Sequence, residues 1–561
     1  MASITEITGK LGRARAAHLL RRCTFGPTPG QITEFAEYTA TEALDLLFQE
    51  PLENPSPPID PLTAKTWVDP AGQSKAGTSN SEQDDLFKFF QAWHLDVMFK
   101  SPASLKERIT WFYHTHLPAR WSEIRSSEAI YYQNCIFRHY AFGSFKDLFK
   151  KICTDNAMLI YLDGYTNHKD NPNENFAREM FELYSIGKGP QIAEGNYTNY
   201  TEDDIRAATR VLTGWTEDGD FENLDPDTGW PTGIMRKTTS ADPPAELATG
   251  HDSGKKTFTD IFNSAVLGPD PADLVNSLST VEDAYTELYK MIDMIFGNIE
   301  TARFITRKIY RSFVYHFISD EVETDVIQPL AQQFSDKDFS VKELLTILLK
   351  SQHFYDEDNM VTSDNNTGAL IKSPADLFLG LLRFFDMTLP DRDAEASTFY
   401  KDMDFIVSKL KDQGLNFYEP FEVAGYPAYH QIPGYNRNWI TTYALAHRYQ
   451  TGQVLMGITG GGDDLSFKLN IVDWVKNSGY ITQADDANEV VNVFIQNLIA
   501  VELTTDRKAY FLNTVFLDTL TTTTWQYEWN QYIAFNDDTV VRERLETLLS
   551  ELIQTPEFQM Y

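Results

Sequence analysis

The stretch that decides the fold runs from Asn171 to Gly187 and reads NPNENFAREMFELYSIG. Its Asn-Pro-Asn segment predicts a loop that ends in a helix start, because Asn caps free backbone N–H groups and Pro suits a helix entry. The helix is expected from about Glu174 to Ser185, with the glycine just beyond its end. A 12-residue polar-apolar helix of this kind predicts a protein built from packed helices.

The charges of this predicted helix fall on one face. At about 100° per residue, a contiguous stripe contains Glu174, Asn175, Arg178, Glu179 and Glu182, and apolar residues cover the rest. One interpretation is a solvated face with a Glu174–Arg178 pair at i,i+4. The alternative is a polar site on a functional helix.

The sequence around this helix resembles a large bacterial family known as domain of unknown function 1800. The resembling segments include AMLIYLDGYTN at 157–167, DIRAATRVLTGW at 204–215, ITWFYHTHL at 109–117 and SPADLFLGLLRFF at 373–385. The resemblance covers nearly the whole chain but implies no established reaction. Members are often encoded beside a sulfatase-like family, domain of unknown function 1501, so the resemblance implies a sulfatase-like partner protein.

Composition excludes several classes of protein. The chain has 561 residues, 42% of them hydrophobic and 13% aromatic, which is typical of a globular protein. Its 48 basic and 81 acidic residues give a net charge of −33, which argues against a general binder of nucleic acid or anionic membrane. The three cysteines, Cys23, Cys135 and Cys153, lie far apart and predict no disulfide framework.

The N-terminal segment MASITEITGKLGRARAAHLLRR contains no apolar core of a signal peptide. The sequence contains no stretch of about 20 apolar residues that would predict a membrane span. We therefore expect a soluble protein and favour the cytoplasm slightly over the periplasm or cell surface, although members of the family often look exported.

The helical periodicity predicts a mostly α fold with two packed helical lobes and long irregular loops. The runner-up adds a small β-hairpin element at 216–258. We expect an N-terminal helical lobe with the polar site at 1–260, a central helical bundle half at 261–455 and a C-terminal helical extension at 456–561.

Two histidine motifs extend the candidate site. His114 and His116 would be splayed by about 200° on a regular helix, but an unwinding helix end before Pro118 could bring them together. In the alternative interpretation, His114 faces the core and His116 packs against an aromatic neighbour. The turn HDSGKKTF presents His251 and Asp252, which form either a local turn hydrogen bond or part of a site.

These residues support one enzyme hypothesis. Carboxylates and imidazoles together suit a divalent metal such as Mn, Fe or Zn, and they also suit metal-free acid–base chemistry. The predicted reaction is hydrolysis or oxidation of a polymer or cell-surface substrate. The predicted catalytic residues are Glu174, Arg178, Glu182, His251 and Asp252, and the predicted metal ligands are His114, His116 and Glu179. The alternative is a non-catalytic binding or assembly partner of the sulfatase-like protein.

Two other features are candidates for binding. Arg303, Arg307 and Arg311 recur at i,i+4, which indicates either a solvated face or a basic ridge facing acidic partners. A loop rich in aromatic residues resembles a ligand-contacting loop, and its simpler interpretation is an aromatic-packed connection. Its polar and aromatic residues are Tyr426, Tyr429, His430, Tyr435, Asn436, Arg437 and Trp439.

Overall fold

The computed structural model describes residues 2–51, 54–68, 79–358 and 366–561. Within these ranges the chain forms 27 α-helices and only short strands, which confirms the predicted mostly α fold. None of the described helices combines the length and the apolar character needed to cross a membrane.

The helices of the first 261 residues are short, apart from one long helix. Their bounds are Gly12–Cys23, Pro29–Phe35, Ala40–Leu47, Asn80–Lys100, Lys106–His116, Trp121–Ile124, Ser127–His139, Phe145–Ile152, Asn156–Tyr161, Asn175–Glu179 and Glu202–Val211. A π-helix, Met180–Tyr184, directly follows Asn175–Glu179.

The second half contains the remaining helices. Their bounds are Val281–Phe296, Ile299–Phe313, Asp320–Val322, Gln328–Asp336, Val341–Lys350, Pro374–Phe384, Ala396–Asp412, Pro427–His430, Thr442–Tyr449, Thr451–Leu455, Ile471–Asn477, Ala487–Leu498, Thr505–Tyr510, Thr522–Phe535, Thr539–Ile553 and Pro556–Gln559. Two more π-helices, Glu323–Ile327 and Phe511–Phe516, and the 3-10 helices Tyr435–Ile440 and Gly462–Asp464 also lie in this half of the described chain. The 3-10 helices Gly164–Thr166 and Asp260–Phe262 belong to the first half.

Local sequence explains where many helices begin. Thr201 caps Glu202–Val211, because its hydroxyl oxygen accepts a hydrogen bond from the Asp204 amide. The Asp204 carboxylate in turn accepts a hydrogen bond from the Thr201 amide. Ser373 and Asp376 form the same reciprocal pair at the start of Pro374–Phe384. Each pair satisfies two backbone groups that a helix start otherwise leaves free.

The strands form four antiparallel pairs within the described residues. The longest is the hairpin Lys237–Ala241 with Pro244–Ala248, inside the segment where the sequence predicted a hairpin. The others pair Gln191–Ala193 with Asn196–Tyr197, Trp215–Thr216 with Ile234–Met235, and Lys256–Thr257 with Val266–Leu267.

Buried apolar residues form two cores. The first core draws mainly on residues 2–48, 105–117 and 136–355, and the second core mainly on 67–98, 119–135 and 375–558. The chain therefore passes between the cores several times in its first 160 residues, and the division at residues 260 and 455 stays a prediction. The helix Lys106–His116 is buried over its whole length and contributes Phe112 to the first core and Trp111 to the second.

Candidate functional site

The acidic helix lies where the sequence predicted it but changes form halfway. Asn173 accepts a hydrogen bond from the Asn175 amide at 3.0 Å, so the α-helical part begins at Asn175. The π-helix begins at Met180 and its wider turn shifts the following side chains around the axis. Gly187 has φ +72°, the left-handed conformation expected just after a helix end.

Ion pairs neutralise most of the charged stripe. Arg178 lies 2.7 Å from Glu174, and its two terminal nitrogens donate to both carboxylate oxygens of Glu202 at 2.8 and 2.9 Å. Glu182 pairs with Lys188. This arrangement matches the simpler interpretation of the stripe, because the guanidinium already has two carboxylate partners.

Glu179 differs from its neighbours on the stripe. It is partly buried, and its carboxyl group makes no hydrogen bond or ion pair with any of the described residues. Burial, together with the nearby charge of Glu182, raises its pKa to about 7, although Lys188 and Arg178 act in the opposite direction. A carboxyl group that titrates near neutrality can both give and take a proton.

His251 belongs to a buried network. Its Nδ1 lies 3.1 Å from the carbonyl oxygen of Thr213, and its Nε2 lies 3.3 Å from Glu287 Oε2. The other oxygen of Glu287 lies 2.6 Å from Lys256 Nζ. The side chains of His251, Lys256 and Glu287 are almost completely inaccessible to solvent. Their contacts join the Lys256–Thr257 strand to the helix Val281–Phe296.

Asp252 pairs with Arg210 at 2.7 and 3.2 Å. Arg210 lies near the end of the helix Glu202–Val211, and Glu202 at its beginning forms the ion pair with Arg178. Eight residues of α-helix rise by about 12 Å. The acidic stripe and the His251–Asp252 turn therefore lie at opposite ends of one helix. The catalytic role of the five predicted residues stays a prediction; they are Glu174, Arg178, Glu182, His251 and Asp252.

The His-x-His helix does not unwind before Pro118. It is regular through His116, so the two rings leave it on different sides. The His114 ring packs 4.1 Å from the Tyr418 ring, whereas His116 Nε2 lies 3.1 Å from the carbonyl oxygen of Tyr184. Burial lowers the pKa of both histidines to about 3, so both are neutral at pH 7.

The predicted metal ligands are not gathered at one point. No group of three or more His, Cys, Asp and Glu side chains in the described parts of the chain is arranged to hold a metal ion. His114 and His116 contact different aromatic surroundings, and Glu179 lies on another helix. A metal held by these three residues therefore stays a prediction without support from their positions.

A pocket does lie between the two cores. Phe112 and Phe313 of the first core line one side, and Trp111 and Trp439 of the second core line the other. Its volume is about 50 Å³, which gives room for roughly three to five water-sized groups. A narrow, largely aromatic cleft of this kind fits a small molecule or the end of a longer one.

The amide of Asn436 is the least satisfied polar group in this pocket. Asn436 is only 8% exposed, and neither its amide nitrogen nor its amide oxygen has a hydrogen-bond partner within the described chain. The residue lies in the 3-10 helix Tyr435–Ile440 and lines the pocket. An amide can donate two hydrogen bonds and accept two, so this side chain has hydrogen-bonding capacity that the described chain leaves unused.

The residues of the aromatic loop divide between a packed connection and the pocket wall, and contact with a ligand stays a prediction. Tyr426 packs as a connection, since its hydroxyl donates to the Asn416 carbonyl oxygen at 3.1 Å. Tyr429, Tyr435, Asn436 and Trp439 instead line the pocket, as a ligand-contacting loop would.

Three residues of the pocket wall are joined by contacts that the sequence did not predict. Arg108 donates to Asp376 and to the Tyr561 hydroxyl, in the latter case at 2.6 Å. These partners lie 268 and 453 residues away along the chain. No motif or periodicity links residues at such separations, so only the fold reveals them.

Together these features define a mostly helical protein with two interleaved cores and a largely aromatic pocket between them. The sequence model of the family described as protein of unknown function, DUF1800, matches residues 18–560. The chain therefore belongs to that family, which confirms the resemblance found in its motifs. No curated protein and no solved structure matches the chain.

Proposed function

We propose that the protein binds a small polar ligand in the pocket between its two cores. The observation that supports this is the buried Asn436 amide, whose two polar atoms have no hydrogen-bond partner in the described chain. Leaving such a group unpaired destabilises a fold by about 1–3 kcal/mol. A ligand that pairs with the amide would recover that free energy on binding.

The walls of the pocket favour a ligand with an apolar or ring-shaped body. Tyr429 and Trp439 lie edge to face with ring centroids 5.8 Å apart, and both rings line the cavity. Aromatic walls with a few fixed polar groups are typical of small-molecule sites, where the walls supply affinity and the polar groups supply orientation.

Acetamide is a suitable first probe because it is small and both donates and accepts hydrogen bonds. We expect the acetamide methyl NMR signal to broaden and shift with added wild-type protein. The effect should disappear in Asn436→Leu, which keeps the branched shape of the side chain but removes the amide. The control Asn530→Leu changes an exposed amide and should bind acetamide like wild type. Equal binding by wild type and Asn436→Leu would contradict the proposal.

A second candidate function is acid–base catalysis at Glu179. The observation that favours it is a partly buried carboxyl group with a pKa of about 7, on a helix that turns into a π-helix at the next residue. Such turns occur frequently at functional sites. In a ¹³C NMR titration of the glutamate carboxyl groups, we expect a resonance that titrates near pH 7 and is absent from Glu179→Gln. If every such resonance persists in the variant, this candidate fails.

The finer predictions rest on the sequence and the family resemblance alone. They are hydrolysis or oxidation as the reaction, a divalent metal as cofactor, and a sulfatase-like partner protein. Elemental mass spectrometry of the purified protein tests the metal, and co-purification with the neighbouring sulfatase-like protein tests the partner.

A further inference from the structure

Arg311, the third arginine of the Arg303–Arg307–Arg311 ridge, lines the pocket and has no carboxylate partner among the described residues. Arg303 pairs with Glu300, and Arg307 pairs with Glu323 at 2.8 and 2.5 Å. No described carboxylate lies within 4.0 Å of Arg311, and its two terminal nitrogens make no hydrogen bond to the described residues. In a chain with 81 acidic and 48 basic residues, an unpaired guanidinium at a pocket is available to bind an anion.

The surroundings of Arg311 add positive charge. Lys308 lies one turn earlier and has no carboxylate within 4.0 Å among the described residues, and burial together with Arg311 lowers its pKa to about 8. Burial, Arg437 and Arg311 all lower the pKa of His316, which also lines the pocket. His316 is therefore kept neutral, Lys308 and Arg311 repel each other, and a bound anion would relieve this repulsion.

The local geometry holds the guanidinium in place. Arg311 Nε donates to the carbonyl oxygen of His316 at 3.2 Å, and its central carbon lies 5.2 Å from the centre of the Tyr435 ring. These contacts occupy one nitrogen and one face, and they leave the two terminal nitrogens for a ligand. A planar fork of this kind matches the two oxygens of a carboxylate.

We propose that the ligand of the pocket carries a carboxylate, which Arg311 binds while the Asn436 amide pairs with a neighbouring polar atom. This inference rests on the proposed function and specifies its ligand class. The volume of about 50 Å³ suits a small organic acid or the carboxylate end of a longer molecule.

Acetate and acetamide form a matched pair of probes, because they share size and shape but differ in charge. We would titrate each against the full chain by NMR of its methyl signal, with sodium chloride holding the ionic strength constant. Wild type should bind acetate more tightly than acetamide. Arg311→Gln should weaken acetate binding about tenfold or more and leave acetamide binding unchanged. The control Arg236→Gln removes an exposed arginine outside the pocket and should change neither.

The possible results separate the two proposals. The proposal of a carboxylate ligand is wrong if acetamide binds through Asn436 but acetate binds no more tightly. It is also wrong if acetate binding survives Arg311→Gln. In both cases the proposal that the pocket binds a small polar ligand is unaffected. If neither probe binds wild type, both proposals fail. Loss of acetate binding in Arg236→Gln as well would show a general charge effect and would also overturn the carboxylate assignment.

Discussion

A buried side-chain amide normally pairs with backbone or side-chain groups, since each unpaired atom loses its hydrogen bonds to water. Asn436 lacks such pairing within the described chain, although the backbone around it is held in a 3-10 helix. Binding sites commonly keep groups that are unfavourable for the unliganded fold, because those groups are needed for the ligand.

The first prediction concerns the stability of the unliganded protein. Asn436→Leu should raise the free energy of unfolding by about 1 kcal/mol, because it replaces an unpaired amide with an apolar group of similar size among aromatic rings. Urea denaturation in a buffer without carboxylates or amides would measure this. A clear loss of stability would mean that the amide already has favourable partners in the folded protein.

The second prediction concerns pH and Glu179. Its pKa rises from 4.5 to about 7 on folding, so the folded state holds a proton that the unfolded state releases between these values. The contribution of Glu179 to stability therefore falls as pH rises from about 4.5 to about 7. Glu179→Gln should match wild type at pH 4.5 and be more stable at pH 8, by about 1 kcal/mol after allowance for solvent screening.

The control for this prediction is Glu174→Gln, whose carboxylate is largely exposed and pairs with Arg178. It should show no gain in stability at pH 8. The buried histidines His114 and His116 act in the opposite direction, because their lowered pKa values make the fold less stable as pH falls. The difference between variant and wild type at each pH removes their effect. A constant difference across this range would contradict the raised pKa of Glu179.

At the scale of single elements, the helices, strands and turns hold their polar residues in fixed networks. The Lys256–Thr257 strand is joined to the helix Val281–Phe296 through Lys256, Glu287 and His251. A buried ammonium without a counter-charge is strongly destabilising, whereas an exposed one is readily hydrated.

The third prediction follows from this network. Glu287→Gln keeps the shape of the side chain but leaves Lys256 without its carboxylate, and it should lower the free energy of unfolding by about 3–5 kcal/mol. Chemical denaturation followed by circular dichroism would measure the loss. Glu246→Gln removes an exposed partner of Lys237 in the nearby hairpin and should change stability by less than about 1 kcal/mol. Similar losses in the two variants would contradict the buried network.

The sequence predicted elements better than it predicted their partners. The charged and apolar faces of the acidic helix follow from residue spacing, and the structure buries Phe176, Met180 and Phe181 as that spacing requires. The π-helix and the pairing of Arg178 with Glu202 could not be predicted, because they depend on how a second helix packs. Of the two interpretations of the His-x-His motif, the convergent one is wrong, because the helix stays regular up to His116. His114 is instead buried, and His116 stacks on Phe112.

At the scale of the whole molecule, buried polar contacts join distant parts of the chain. Arg108, on the helix shared by both cores, binds Asp376 and the Tyr561 hydroxyl, and that hydroxyl donates to Asp376 at 3.0 Å. The helix Pro374–Phe384 belongs to the second core, so this cluster anchors the shared helix to that core.

The fourth prediction tests this anchor. Asp376→Asn should lower the free energy of unfolding by about 3–5 kcal/mol, because Arg108 is buried and would lose its counter-charge. Thermal unfolding by calorimetry would measure the change. Asp84→Asn, at the exposed Arg125–Asp84 pair, is the matched control and should stay within about 1 kcal/mol of wild type. An effect of Asp376→Asn no larger than that control would rule out the anchor.

The fold class and the family could be predicted from the sequence, because helical periodicity and long motifs are local signals. The aromatic loop was also a local signal, and it led to Asn436 and Trp439. The rest of the pocket could not be predicted, since Trp111 and Arg311 come from two other helices that only folding brings to this loop.

The most direct test of the central claim is a crystal structure of the full chain with acetamide at saturating concentration. We expect acetamide between Trp111 and Trp439, with its polar atoms within about 3.2 Å of the Asn436 amide. A pocket without acetamide, in which Asn436 pairs with protein groups instead, would contradict the proposal that this pocket binds a small polar ligand.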